Sequence, residues 1–348
     1  MVSTLKPGDR TGGARRSAQI LTMLKNIGEV DLIFFKKKEN CFVSSSESFP
    51  IKGGRLGLLP FSVKKYFSKS LKDYVKRAQY DYDCIFIDHS HLLYLFQGLH
   101  IPCLADLQNI ETRYYYELGK CTGNPLYFIE SFLFNFYEKA RLIKCDIVFT
   151  PSLIEKEYLS KFCKDVRFLR HSYGNIKELK NSEKQRFIAI GNFDFPPNLL
   201  GMKKLINLIP NSKYELCIAG KKSANIASEK IKDLGEFREI NNILKDNDVL
   251  LYPVEYGAGA RVKLTHVFEG GLPFISTWKG VEGYPKNIYE CGIIVDDING
   301  FPDAMKEISN PALYSIFKEK IQILRGDYSL ENIIPAFKKV VESKVKRI

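Results

Sequence analysis

The chain has one tryptophan, no cysteines at C-x-x-C spacing, and no uncharged apolar run of the roughly 18 residues that a spanning helix needs. The missing run argues against a helical membrane span. The eight cysteines, at 41, 84, 103, 121, 145, 163, 217 and 291, sit mostly inside apolar runs such as "DCIFID" and "LCIAG". Disulfide and zinc frames favour paired spacings, so these read as reduced, buried thiols of a cytoplasmic protein, and no metal is expected. A secretory leader is not expected either, because Lys6, Asp9 and Arg10 interrupt where its apolar core should begin.

What is present is length, apolar content and basic charge. The 348 residues are long enough for two ordinary domains, and at 45% hydrophobic they can bury sizeable cores. The net charge of +12 is unevenly spread. Residues 1–180 carry 28 Lys+Arg against 19 Asp+Glu, net +9; the remainder carries 24 against 21, net +3. A basic first half suits an anionic neighbour, either nucleic acid or the anionic face of a membrane.

Short apolar runs alternate with amphipathic stretches along most of the chain. The first half offers "VDLIFF", "DCIFID", "IPCLADL", "CDIVFT" and "VRFLRH" as strands; the second offers "RFIAIG", "YELCIAG", "DVLLYPV", "LPFIST" and "CGIIVDD". Between them lie helical patterns such as "GGARRSAQILTMLKNIG", "NLLGMKKLINLIP" and "ARVKLTHVFEGG". That alternation predicts α/β architecture with parallel sheets covered by helices on both faces. The pattern restarts near Arg186, after a polar interval at 172–185 that reads as a linker. The expected organisation is two doubly wound, Rossmann-like domains, 1–178 and 179–325, facing a cleft. A final amphipathic helix within 326–348 would pack back on one of them, the N-terminal domain by preference.

The stretch "YPVEYGAGARVKLTHVFEGGLPFIST" (252–277) concentrates the chemistry. An apolar strand feeds a turn containing Gly257 and Gly259, then a helix expected to begin near Arg261. Glycines let a backbone approach a ligand closely, and a helix start presents free N–H groups, so the turn suits an anion. Lys263 and His266, three apart, share a helical face. The bland alternative is a tight strand-to-helix turn with solvated cations. The turn is neither a Walker loop nor G-x-G-x-x-G.

This segment resembles the donor site of GT-B fold glycosyltransferases of the group 1, or family 4, retaining type. Their pattern is roughly G-A-G-x-R-x-K-x-x-E-A-x-x-x-G-x-P-V-V-x-T-x-x-G-x-E-G. "RFIAIGNFDFPPN" is similar to the opening of the family's donor domain, "GGARR" to its first helix, and "LADLQNIETRYY" to its acceptor-side D-x-H-N-x-E segment. The matches span about residues 8–300 in order.

The resemblance implies that a nucleotide-diphosphate sugar is bound by Gly257, Ala258, Gly259, His266, Gly191, Asn192 and Glu282, with Arg261 and Lys263 stabilising the leaving diphosphate. It implies acceptor contacts from Gly12, Gly13, Arg15, Arg16, Asp106, Gln108, Asn109 and Glu111. It implies no protein nucleophile, no metal and no resident cofactor. The acceptor would be a glycan or lipid-linked glycan, in surface polysaccharide synthesis of the capsule or lipopolysaccharide kind.

Two departures stand out. The family's ribose-binding glutamate falls on His266, and its acceptor-side histidine falls on Gln108, which cannot act as a base. Either histidine of "DCIFIDHSHLL", His89 foremost and His91 second, could supply imidazole chemistry instead. Two rival readings follow: a non-catalytic GT-B subunit scaffolding a partner, and a GT-B sugar-nucleotide epimerase. The epimerase needs carboxylates where Ala258 and His266 stand. The stretch 59–82 sets aromatics among lysines at helical spacing, which fits an anionic membrane surface or an ordinary surface helix equally. No nucleic-acid-binding motif is present. A cytoplasmic protein, peripheral at the inner membrane face, is the expectation.

Overall fold

The computed structural model describes residues 1–9, 11–51, 58–173, 178–209, 214–226, 228–237 and 239–345. The first sheet comprises β1 (Val2–Ser3), β2 (Ile33–Lys36), β3 (Cys41–Val43), β4 (Ser48–Pro50), β5 (Ile85–Asp88), β6 (Cys103–Asp106), β7 (Ile147–Thr150) and β8 (Val166–Phe168). The second comprises β9 (Arg186–Ile190), β10 (Glu215–Ala219), β11 (Lys232–Asp233), β12 (Asp248–Tyr252), β13 (Phe274–Thr277) and β14 (Gly292–Val295).

Every apolar run read as a strand is a strand. The second sheet is parallel throughout, in the order β11-β10-β9-β12-β13-β14. The first runs β4-β3-β2-β1-β5-β6-β7-β8, parallel except for the antiparallel β3 and β4 at its edge. Helices cover both faces, so central strands such as "IVFT", "RFIAI" and "DVLLY" are buried at every position. That is why they read as continuous apolar runs rather than alternating ones.

Strand order reverses between β1 and β5 in the first sheet and between β9 and β12 in the second. Ligands of open α/β sheets bind beyond the carboxyl ends of strands at such reversals. Here those ends carry the Gly12–Lys25 helix start and His89 on one side, Gly191 and the 253–261 loop on the other.

The helix Leu330–Val345 returns to the first sheet. Its Ile333, Phe337 and Val341 are buried with Ile20, Met23, Phe86 and Phe149, the Phe149 and Phe337 rings 5.1 Å apart. Of the polar interval at 172–185, residues 174–177 lie outside the described residues.

The stretch 59–82 breaks into two helices, Phe61–Lys65 and Lys69–Ala78, with Ser68 capping the second. Val63, Leu71 and Val75 are buried in the first core, and Tyr66, Phe67 and Tyr74 pack against it. Most of its apolar stripe is therefore spent inside the protein. Among the described residues no helix is long and apolar enough to cross a membrane.

Candidate functional site

The loop after β12 needs its glycines. Gly257 and Gly259 adopt φ of +125° and +70°, which disfavour other residues. Arg261 folds back to brace the loop, donating from Nη1 to the Ala258 carbonyl (2.9 Å) and from Nη2 to that of Tyr256 (3.2 Å). Two buried tyrosines fix the next turn: Tyr284 donates to the Arg261 carbonyl at 2.7 Å and Tyr252 to that of Lys263 at 2.9 Å.

The expected helix start at Arg261 is corrected. Arg261 is extended (φ −74°, ψ 109°), Val262–Leu264 form a 3₁₀ turn, and the α-helix runs only over Thr265–Gly270, closed by Gly271 at φ +64°. Arg261 has no side-chain capping bond to start a helix, and β-branched Val262 favours one poorly. Positive charge at this loop therefore comes from side chains rather than from a long helix dipole.

Lys263 reaches from this turn to the end of β9. Its Nζ donates to Asn198 Oδ1 at 2.7 Å, and a Cβ at Gly191 would lie 2.7 Å from the same Nζ. Asn198 donates in turn to the Asn192 carbonyl at 2.7 Å, while Asn192 Oδ1 caps the turn at Asp194. Burial, then the neighbouring Arg261, push Lys263 down to about 7. Gly191, Asn192, Asn198 and Lys263 thus converge across the strand-order reversal.

His266 is tied down. Its Nδ1 lies 3.0 Å from Glu269 Oε2, and Arg15 of the first sheet's helix reaches the same carboxylate at 3.1 and 3.2 Å. Burial lowers the His266 pKa and outweighs Glu269, so the imidazole is neutral at pH 7. The short Glu269 contact then assigns the proton to Nδ1 and leaves Nε2 an acceptor. Burial raises Glu269, but His266 and Arg15 hold its pKa below the usual value.

The acceptor-side segment closes against the loop. A Cβ at Gly259 would fall 2.2 Å from the Asn109 amide, and with its NH2 turned to the acceptors Asn109 bonds the carbonyls of Gln108 and Ala258 at 3.1 Å. Gly12 lies against Val262. Gln108 donates to the Gly13 carbonyl (3.0 Å) and Asp88 (3.1 Å), so its NH2 is spent inside the first unit. Glu282 pairs with Lys279 (3.1 Å) and with Arg113, and Glu117 accepts from the Gly257 N–H at 3.4 Å.

Three expected acceptor contacts are corrected. Arg16 and Asp106 have fully buried side chains and bind each other at 2.7 and 3.1 Å, pinning the helix to β6. Neither reaches the cleft. Glu111 is buried as well: burial, then Glu138, push it up to about 8, so it is largely protonated at neutral pH.

His89 holds φ +84°, a strained value for a non-glycine residue. Burial lowers its pKa, but Asp88, 3.2 Å from Nδ1, outweighs that and brings it to about 9. It is therefore a cation at neutral pH, a donor rather than a base. His91 packs its ring against Tyr66 and Phe134, and burial takes it down to about 3. It is a core residue.

Sequence reasoning missed Asn198, Glu269, Tyr252, Tyr284, Arg113 and Glu117. Glu269 carried a signal, standing three residues after His266 on one helix. Tyr252 ends β12 just before the loop, and the others act from distant elements.

No protein-family model matches the chain, and no curated protein sequence matches it. Solved structures do. Sucrose-phosphate synthase from Thermosynechococcus elongatus superposes with a TM-score of 0.69 at 16% identity over 98% of both chains. Anabaena HepE, solved with UDP, gives 0.67 at 10% identity, again over 98% of both. The pneumococcal O-GlcNAc transferase GtfA, solved with UDP and GlcNAc, gives 0.57 at 13% identity over 88% of this chain and 63% of GtfA. Two helix-covered sheets, one parallel throughout and one parallel but for its β3–β4 edge, superposing on these structures, identify the chain as a GT-B fold protein.

Proposed function

We propose that the chain is a glycosyltransferase that moves a hexosyl group, with retention, from a nucleotide-diphosphate sugar to a glycan or lipid-linked glycan in surface polysaccharide synthesis. In this reading residues 179–325 hold the donor and 1–178 the acceptor, at the cytoplasmic face of a membrane. One observation carries it: Lys263, braced by Asn198 over Gly191, stands beside the positive-φ loop at Gly257 and Gly259. That is a partly buried cation set against a glycine at the end of β9, four residues after a turn that glycines allow. HepE and GtfA, which share the fold, were solved with UDP.

As the sugar–phosphate bond breaks, negative charge grows on the diphosphate. A fixed ammonium and backbone N–H groups aimed there stabilise that transition state more than the ground state. Arg261 holds the loop carbonyls away from the phosphates. His266, with Nδ1 held by Glu269, offers one acceptor to a donor hydroxyl where a carboxylate would offer more. His89, as a cation, donates to the acceptor or to the departing phosphate. The acceptor attacks from the leaving-group face, so no protein nucleophile enters and no metal is called on.

A second reading, a non-catalytic scaffold, is favoured by one feature: Gln108 and His91 are both occupied within the first unit. Release of nucleoside diphosphate from a nucleotide sugar plus a lipid-linked glycan separates the two. Turnover lost in Lys263→Ala supports the enzyme; donor binding without any release supports the scaffold.

A further inference from the structure

The helix Pro125–Leu142 wears its polarity inside out. Its two carboxylates, Glu130 and Glu138, are 3% and 2% exposed. Both are spent as caps. Glu130 accepts the backbone N–H groups of Phe61 and Ser62, and Glu138 accepts those of Glu111 and Thr112. The outward face carries Leu126, Ile129, Phe132 and Phe136, which are 59%, 48%, 63% and 59% exposed. The spacing of 126, 129, 132/136 is the helical one, so these side chains form a continuous ridge. Exposed apolar residues are ordinary singly; a phenylalanine-rich ridge marks an interaction surface.

Charge selects the partner. From 111 to 144 the chain has four carboxylates, Glu111, Glu117, Glu130 and Glu138, all buried. The same span has exposed Lys120, Lys139 and Lys144 and partly exposed Arg113 and Arg141. Beside it Phe61 is 53% exposed, with Lys64 over its ring at 5.3 Å. A second copy meeting this face across a two-fold axis would bring lysine to lysine, while the carboxylates of 111–144, all buried, are not there to pair them. An anionic lipid surface supplies the missing charge and takes up phenylalanines at its headgroup boundary.

We propose that the outer face of Pro125–Leu142, rather than the stretch 59–82, seats the protein on an anionic bilayer. This deepens the peripheral-membrane part of the proposed function and rests on that part, not on the donor site.

The test is co-sedimentation of the full chain with phosphatidylcholine vesicles, with and without phosphatidylglycerol. Wild type binds the anionic vesicles and is released by salt, because exposed charges are screened. Phe132→Ser/Phe136→Ser lowers partitioning by about tenfold or more, since each buried ring contributes apolar area. Ile323→Ser, at an isoleucine 75% exposed elsewhere, leaves binding unchanged. Melting curves with and without a nucleotide sugar accompany each variant. If the double variant sediments like wild type, or wild type ignores phosphatidylglycerol, the proposal is overturned. The same holds if the ridge instead supports a dimer that the double variant dissolves while lipid is ignored. Lipid binding without any nucleotide response would sink the donor site and leave the docking face standing.

Discussion

Arg15 Nη2 lies 3.1 Å from Glu269 Oε2, an ion pair that joins the first sheet's opening helix to the short helix of the donor-side loop. The same carboxylate holds His266 Nδ1 at 3.0 Å, the position where the sequence departs from its expected glutamate. The arginine is 38% exposed, so the pair contributes only about 0.2–1 kcal/mol. Arg15→Ala should barely move the denaturation midpoint. It should raise hydrogen exchange in Thr265–Gly270 by roughly up to fivefold, the population change that about 1 kcal/mol allows. Unchanged exchange there would show that the pair does not hold the cleft.

Lys263, brought down to about 7 by burial and Arg261, should take up a proton when an anionic diphosphate binds beside it. Between pH 7 and the higher pKa of the complex, the free amine is largely neutral and the bound one charged. Affinity should therefore fall as pH rises above 7, by at most roughly tenfold per unit. Calorimetry at pH 8 in buffers of different ionisation enthalpy should show proton uptake in wild type and none in Lys263→Arg. Equal uptake in both would move the titrating group elsewhere.

The buried Arg16–Asp106 pair makes a stability prediction without a functional one. Asp106→Ala leaves a guanidinium uncompensated in the interior and should cost about 3–5 kcal/mol. Arg16→Met/Asp106→Leu should recover most of it, read from chemical denaturation midpoints. A mild effect of the single change would mean that water reaches Arg16.

Glu111 gives a pH signature. Burial and Glu138 raise its folded-state pKa to about 8, above the unfolded value of 4.5. The folded state then binds more protons than the unfolded one between those values, so stability falls as pH rises through this window. Glu111→Gln should flatten that decline and leave the variant more stable than wild type at pH 8. A parallel decline in both would assign it to His89, whose raised pKa of about 9 acts in the same direction.

Much of the fold was legible because its central strands are buried on both faces and so read as unbroken apolar runs. The elements that escaped are short or polar. β3 and β4 are three residues each within a lysine- and serine-rich stretch, and β11 is Lys232–Asp233. The turn from Gly257 to Lys263 announced itself through local chemistry. Its braces did not: Asn198 lies 65 positions before Lys263, and Arg16 finds Asp106 across 90. Arg16 in "GGARR" looks like Arg15 beside it, yet one is sealed in the core and the other reaches Glu269, because consecutive helix positions point about 100° apart. The inverted helix at 125–142 went unread for a related reason. Its pattern of aromatics with glutamates is amphipathic either way round, and only the capping roles of Glu130 and Glu138 decide which side faces in.

The most direct test of the donor site is a melting-temperature panel of nucleotide-diphosphate sugars on wild type and Lys263→Ala. At least one donor should raise the wild-type midpoint, by the linkage that makes a ligand at about 100 times its dissociation constant worth roughly 2.7 kcal/mol, and the variant should show no such rise. A panel with no stabilising nucleotide or nucleotide sugar, or a shift that survives the loss of Lys263, would contradict the account.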